Sequence, residues 1–213
     1  MNGSPPLAWV RARAKLEPGA LDRAPQGVQQ EFEHAWAPLQ ALARLVSCLP
    51  DALWTFLLQC DGGYVLIAND RSRYLVGPAL ALGRTVHNVA YLSLEEMAGE
   101  GHRPLQMIGH LIDHYLGCAG HSPGAWLSDG GGITTEWQEA GARLARLYSL
   151  GYGVAEEEGS NMRGYFARSL ALYCLERPKL NVTDPQIERW FRNVLFRDNL
   201  WQPTLRFVGG EDA

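Results

Sequence analysis

The 213-residue sequence has no apolar run near the ~20 residues a membrane-spanning helix requires. Its opening, Met1-Asn2-Gly3-Ser4-Pro5-Pro6, shows no charged segment followed by an apolar one, so no membrane association and a cytoplasmic location are expected. Excess positive charge is missing too. The formal charge is −4 and the pI near 5.9, against the basic face that nucleic-acid binding demands. The one basic cluster, Arg11, Arg13 and Lys15, reads as solvated. Cysteine is sparse: Cys48, Cys60, Cys118 and Cys174 are far apart and mostly within apolar helical patterns, which suits reduced, buried thiols rather than a disulfide frame. No Gly-x-Ser-x-Gly frame surrounds Ser160 or Ser169, and Asp129-Gly130-Gly131-Gly132 lacks the lysine of a phosphate loop. Internal repeats are absent.

What is present is the composition of a globular chain, 46% hydrophobic with seven tryptophans, long enough for a single domain with its own core. Residues 1–27 hold Pro5, Pro6, Pro18, Gly19, Pro25 and Gly27 and are expected to form a poorly ordered lead-in, the domain proper spanning 28–213. Phe32, Ala35, Trp36, Leu39, Leu42, Ala43 and Val46 recur at helical spacing, with Pro38 expected to kink or split the helix. Pro50-Asp51 opens a short helix. Tyr64–Ala68 and Tyr74–Val76 read as strands joined through Asn69-Asp70-Arg71-Ser72, and Val86–Leu92 as a third. Ser93 with Glu96 has capping-box spacing. Helices are expected over 104–117, 134–150, 160–176 and 184–197, with Thr134 or Thr135 capping the second and Thr183 with Asp184-Pro185 starting the last.

The informative stretch is Gln106-Met107-Ile108-Gly109-His110-Leu111-Ile112-Asp113-His114. Taken directly, His110 and His114 are four apart on one helical face with Asp113 between them. That pattern approaches an inverted zinc motif in which Asp113 would be the base and zinc the cofactor. A third ligand is then needed, and His121, Asp129, Glu136 and Glu156-Glu157-Glu158 all remain open. As a plain core helix the segment offers an apolar stripe of Leu105, Ile108, Ile112 and Tyr115, with Met107 filling a gap.

Shifted by four residues, Ile108-Gly109-His110-Leu111-Ile112-Asp113 resembles the second half of the zinc helix of the anthrax lethal factor-like metallopeptidases, which include the Pro-Pro endopeptidases. That helix reads His-Glu-x-Gly-His, then small or apolar, apolar, Asp. Downstream, Gly164-Tyr165-Phe166-Ala167-Arg168-Ser169-Leu170 followed by Pro178-Lys179-Leu180 and Asp184-Pro185 is similar to the helix that carries the family's third ligand. The resemblance spans roughly 91–196. It implies an α+β fold of the zincin type, with a small sheet, several helices and a mainly helical C-terminal half. It also implies that Gln106, Met107 and Gly164 stand where the family has histidine, glutamate and glutamate, leaving only His110 of three ligands. Tyr152 is the nearest counterpart of the family's oxyanion-steadying tyrosine. The reading that follows is a non-catalytic relative with no metal, whose former cleft, lined by Gln106, Met107, His110, Tyr152 and Gly164, binds a peptide or protein segment by strand addition. A working zinc hydrolase using His110, Asp113 and His114, or a scaffold without ligand, are the alternatives.

Overall fold

A computed structural model describes residues 4–81, 83–150 and 161–209. Its architecture is α+β: eleven α-helices and a four-stranded sheet among the described residues. The expected lead-in is instead built into the core. Pro5 and Pro6 occupy the first turn of α1 (Pro5–Arg13), where a missing backbone N–H costs nothing. Trp9 and Val10 on α1 are fully buried, and the Trp9 ring lies 4.7 Å from that of Trp54 on α4 (Asp51–Gln59). Arg13 donates from Nη2 to the carbonyls of Cys60 at 2.7 Å and Leu58 at 3.3 Å, satisfying acceptors that the end of α4 leaves open. β1 (Ala14–Leu16) then pairs in parallel with β2 (Tyr64–Ala68).

Between these strands run α2 (Gln26–Glu31), α3 (Ala37–Leu45) and α4. The 28–46 pattern is interrupted before Pro38, which sits in the first turn of α3.

The sheet order is β1-β2-β4-β3, with β4 (Arg84–Ser93) parallel to β2 and β3 (Arg73–Ala81) antiparallel to β4. The expected strands exist, but Asn69–Ser72 does not close a β2–β3 hairpin, because β4 lies between them. Burial explains the order. Val65 and Ile67 of β2 and Ala90 and Leu92 of β4 all belong to the main core, so those strands take the centre. β3 is half-exposed, carries Pro78, and takes an edge, where a residue without N–H is tolerated. The β3–β4 ladder shifts register between Leu75 and Pro78. There Gly77 (φ 85°) donates its N–H to Oδ1 of Asn88, itself at φ 58°.

After α5 (Leu94–Ala98), α6 (His102–Cys118) runs through the middle of the molecule. Leu105, Ile108, Leu111, Ile112, Tyr115 and Leu116 are fully buried. α6 packs on β4 and on α8 (Met162–Leu175). α7 (Thr135–Ser149) is capped by Thr134, whose hydroxyl accepts from Trp137 N–H. The last part of the chain departs from expectation: α9 (Arg177–Thr183) precedes α10 (Pro185–Asn193), which ends short of 197, and α11 (Trp201–Gly209) follows. Asp184 caps α10, accepting from Ile187 N–H at 3.0 Å and from the Tyr165 hydroxyl at 2.7 Å. Among the described residues no single helix is long and apolar enough to cross a membrane.

The α6–α8 contact depends on Gly109. A Cβ there would lie 2.9 Å from Ala167 Cα and 3.3 Å from its Cβ, so the helices touch backbone to backbone. Gly109→Ala should lower stability by about 1–3 kcal/mol by forcing the pair apart, read as a reduced urea midpoint; an unchanged midpoint would show that the helices part freely.

Candidate functional site

From Pro104 to Gly117 every position of α6 is buried except Gln106 and His110. Four residues apart, these two share one helical face, so the helix reaches solvent along a single short line. Arg103 extends that line and donates from Nη1 to Gln106 Oε1 at 3.2 Å.

Two aromatic rings flank His110. Tyr74 of β3 lies nearly parallel, with centroids 6.4 Å apart, and Trp126 meets it edge-on at 6.2 Å. Burial, then Arg103, Arg163 and Arg168, lowers its pKa to about 4. The imidazole is therefore neutral at physiological pH, with one donor and one acceptor. No hydrogen bond engages His110 among the described residues.

His114, one turn on, is fully buried and committed. Its Nε2 lies 2.8 Å from the Ser122 carbonyl, which can only accept, so Nε2 carries the proton. Nδ1 then accepts from the Tyr74 hydroxyl at 2.8 Å. The ring stacks on Trp126 with centroids 4.8 Å apart. Burial lowers its pKa, which favours this neutral tautomer. With both nitrogens used, His114 has no lone pair left for an ion; it ties β3 and the 122 loop to α6.

Asp113, the base of the inverted-motif alternative, spends both carboxylate oxygens on Ser128. It is fully buried and accepts from Ser128 N–H and Ser128 Oγ–H, both at 2.7 Å. Burial raises its pKa to about 7 against the lowering effect of those two bonds. Leu127 N–H also donates to the Asp113 carbonyl at 3.1 Å, so this residue clamps the 126–128 loop to α6 and fixes Trp126.

The remaining wall is the start of α8. Arg163 places its guanidinium 4.4 Å from the Trp126 ring centroid and donates from Nε and Nη2 to Asp129 Oδ2 at 2.9 and 2.7 Å. Next comes Gly164, whose N–H is taken by Asn161 Oδ1 at 2.8 Å. A Cβ at 164 would meet only that oxygen, at 3.3 Å, so the position has room for a side chain. The chain Gly109–Ala167 and Arg163–Trp126–His110 thus gathers the start of α8 beside the open line of α6.

Met107 is 2% exposed and belongs to the main core, not to an open surface. His121 is exposed and borders a cavity of about 470 Å³ with Cys60, Asp61 and Cys118 beyond the C-terminal end of α6. Glu136 is exposed in the first turn of α7, and Asp129 is engaged by Arg163. Tyr152 and Glu156–Glu158 lie outside the described residues. Among the described residues no three His, Cys, Asp or Glu side chains are gathered to hold a metal ion. The family's donor set is not reproduced: position 106 offers a neutral amide already bonded to Arg103, and position 164 offers no side chain.

Trp126, Arg163 and Tyr74 were invisible as site residues in the sequence. Trp126 lies in a Gly/Pro-rich loop without periodicity, and its link to Arg163 spans 37 positions of chain. Compared with known proteins, the chain matches no family model, no curated protein and no solved structure.

Proposed function

We propose that this protein is a non-catalytic relative of the lethal factor-like zinc metallopeptidases that binds a peptide or protein segment in the cleft between β3 and α6. The observation that carries this reading is the coincidence of two open features. The line of α6 at Gln106 and His110 is partly open between Pro104 and Gly117, and β3, whose Tyr74 hydroxyl is bonded to His114 of the same helix, is an edge strand of the sheet. An edge strand presents unpaired N–H and C=O groups to which an extended segment adds. Beneath such a segment, the Gln106 amide and the neutral His110 imidazole offer donors and acceptors without charge. Tyr74, partly exposed on β3, supplies an apolar wall, with Trp126 packed behind it. The residues at 106, 107 and 164 do not fit a zinc ion, and no step is routed through one.

The expected ligand is an extended segment with an apolar side chain, held chiefly through its backbone. Gly164→Phe should fill the cleft from the α8 side without touching the core, because only Asn161 Oδ1 stands near a new Cβ. On an array of short immobilised peptides, the unaltered chain should retain a subset that backbone N-methylation abolishes, and Gly164→Phe should bind that subset at least ~10-fold more weakly at equal thermal stability. Equal retention by both chains, or indifference to N-methylation, would refute strand addition at this cleft.

A further inference from the structure

Away from that cleft, α7 and α10 pack side by side and leave a groove of about 360 Å³ between them. Its floor is apolar: Leu147, Trp190 and Val194, with Trp190 locked by its Nε1–H bond to the Ala140 carbonyl at 3.2 Å. Its rims are cationic. Arg143 and Arg146 stand on α7 and Arg189 on α10, and among the described residues no carboxylate lines the groove. Arg143 has a partner in Glu139 at 3.4 Å, but both side chains are about two-thirds exposed, so that pair is weak. Arg146 and Arg189 form no ion pair among the described residues. In a chain of net charge −4, three guanidiniums around an apolar floor, with the exposed Glu139 the one carboxylate paired to any of them among the described residues, are a local excess of positive charge.

We propose that this groove is a docking site for an acidic segment of another protein, one that sets a bulky apolar side chain between aspartates or glutamates. Charge complementarity selects the occupant. Guanidiniums on both rims match carboxylates bidentately, while the floor takes an apolar side chain. The lining positions 143, 146 and 147 on α7, and 186, 189, 190 and 193 on α10, recur at helical spacing, so the groove follows two helix faces and suits a segment laid along it. A phosphate backbone would leave the apolar floor unpaired. A lipid acyl chain needs a deeper channel than an open inter-helix groove.

The test uses the full chain and a fluorescein-labelled synthetic peptide in which leucine and tryptophan are set among glutamates, read by fluorescence anisotropy. The comparison probes are the same peptide with serine for its apolar residues, the same peptide with lysine for its glutamates, and phosphatidylserine-containing vesicles. Binding of the first peptide alone is expected, weakened about 10-fold or more by Arg146→Glu/Arg189→Glu and in the same direction by Arg146→Gln/Arg189→Gln. Both arginines are exposed, so the variants should fold, as circular dichroism will report. Gly164→Phe should bind the peptide unchanged, which separates this site from the cleft of β3 and α6. The proposal is overturned by unchanged binding in both double variants, by equal binding of the serine peptide, by preference for vesicles, by loss of binding in Gly164→Phe, or by no binding to the unaltered chain.

Discussion

Gln106→His combined with Gly164→Glu is expected to raise zinc affinity about 1,000-fold or more, because two donors would join His110 where an amide and a bare backbone now stand. Positions 106 and 110 already share the open face of α6, and 164 stands at the α8 start held against it through Gly109 and Ala167. Histidine replaces a side chain that is already half-exposed, and glutamate at 164 meets only Asn161 Oδ1, at 3.3 Å from its Cβ, so both changes spare the core. Adding Met107→Glu is a different matter. Met107 is 2% exposed in the apolar core, and a carboxylate there should cost several kcal/mol unless it turns toward the new metal. The double variant is therefore the test of zinc binding, and the triple variant the test of restored hydrolysis. Zinc titration calorimetry reads the first. A folded double variant that takes up no zinc would show that 106, 110 and 164 do not converge, and the proposed kinship would fall with it.

The second large effect is expected at Asp113. Asp113→Ala leaves Ser128 N–H and Oγ–H without an acceptor in a fully buried position, at a cost of about 2–5 kcal/mol. It should also release Trp126, and with it the ring packing behind Tyr74 and His110. Asp113→Asn tests the charge separately. Burial holds the carboxyl at about pH 7 in the folded protein, above its usual 3.8, so the folded state retains a proton that the unfolded chain has lost between those values. The stability this residue contributes is complete below about pH 4, declines as pH rises, and is flat above about pH 7. Relative to Asp113→Asn, the unaltered protein should lose up to ~1.4 kcal/mol per pH unit across that window. Urea unfolding at several pH values reads the difference; parallel profiles for the two proteins would place the carboxylate in a solvated setting instead.

Local chemistry in the sequence carried over well to the structure. Ser93 caps the helix start at which it was placed, Thr134 rather than Thr135 caps α7, and Asp184 rather than Thr183 caps α10, Thr183 turning its hydroxyl back to the Lys179 carbonyl. α6 was legible because its apolar stripe is complete, and its bounds moved by only one or two residues. Long-range partners were not legible. Glu96 has capping-box spacing, yet its carboxylate accepts from Ser72 N–H at 3.3 Å, and the Ser93 N–H goes to Ser72 Oγ. Nothing near Glu96 announces Ser72.

β1 is three residues long, too short for alternation to reveal, and the prolines of α1 suggested disorder although they lie where helices accept them. The candidate site divides in the same way. His110 and Gln106 are marked by their spacing on α6, whereas Tyr74, Trp126 and Arg163 reach it only through tertiary packing. His114 and Asp113 have the spacing of a metal motif but spend their polar atoms on Tyr74, Ser122 and Ser128.

His110 has no companions able to hold an ion among the described residues, and elemental analysis of the protein purified without chelator from zinc-supplemented culture is the decisive check. The expected result is no stoichiometric zinc and no change in metal content with His110→Ala. One equivalent of zinc per chain, lost with His110→Ala, would contradict it.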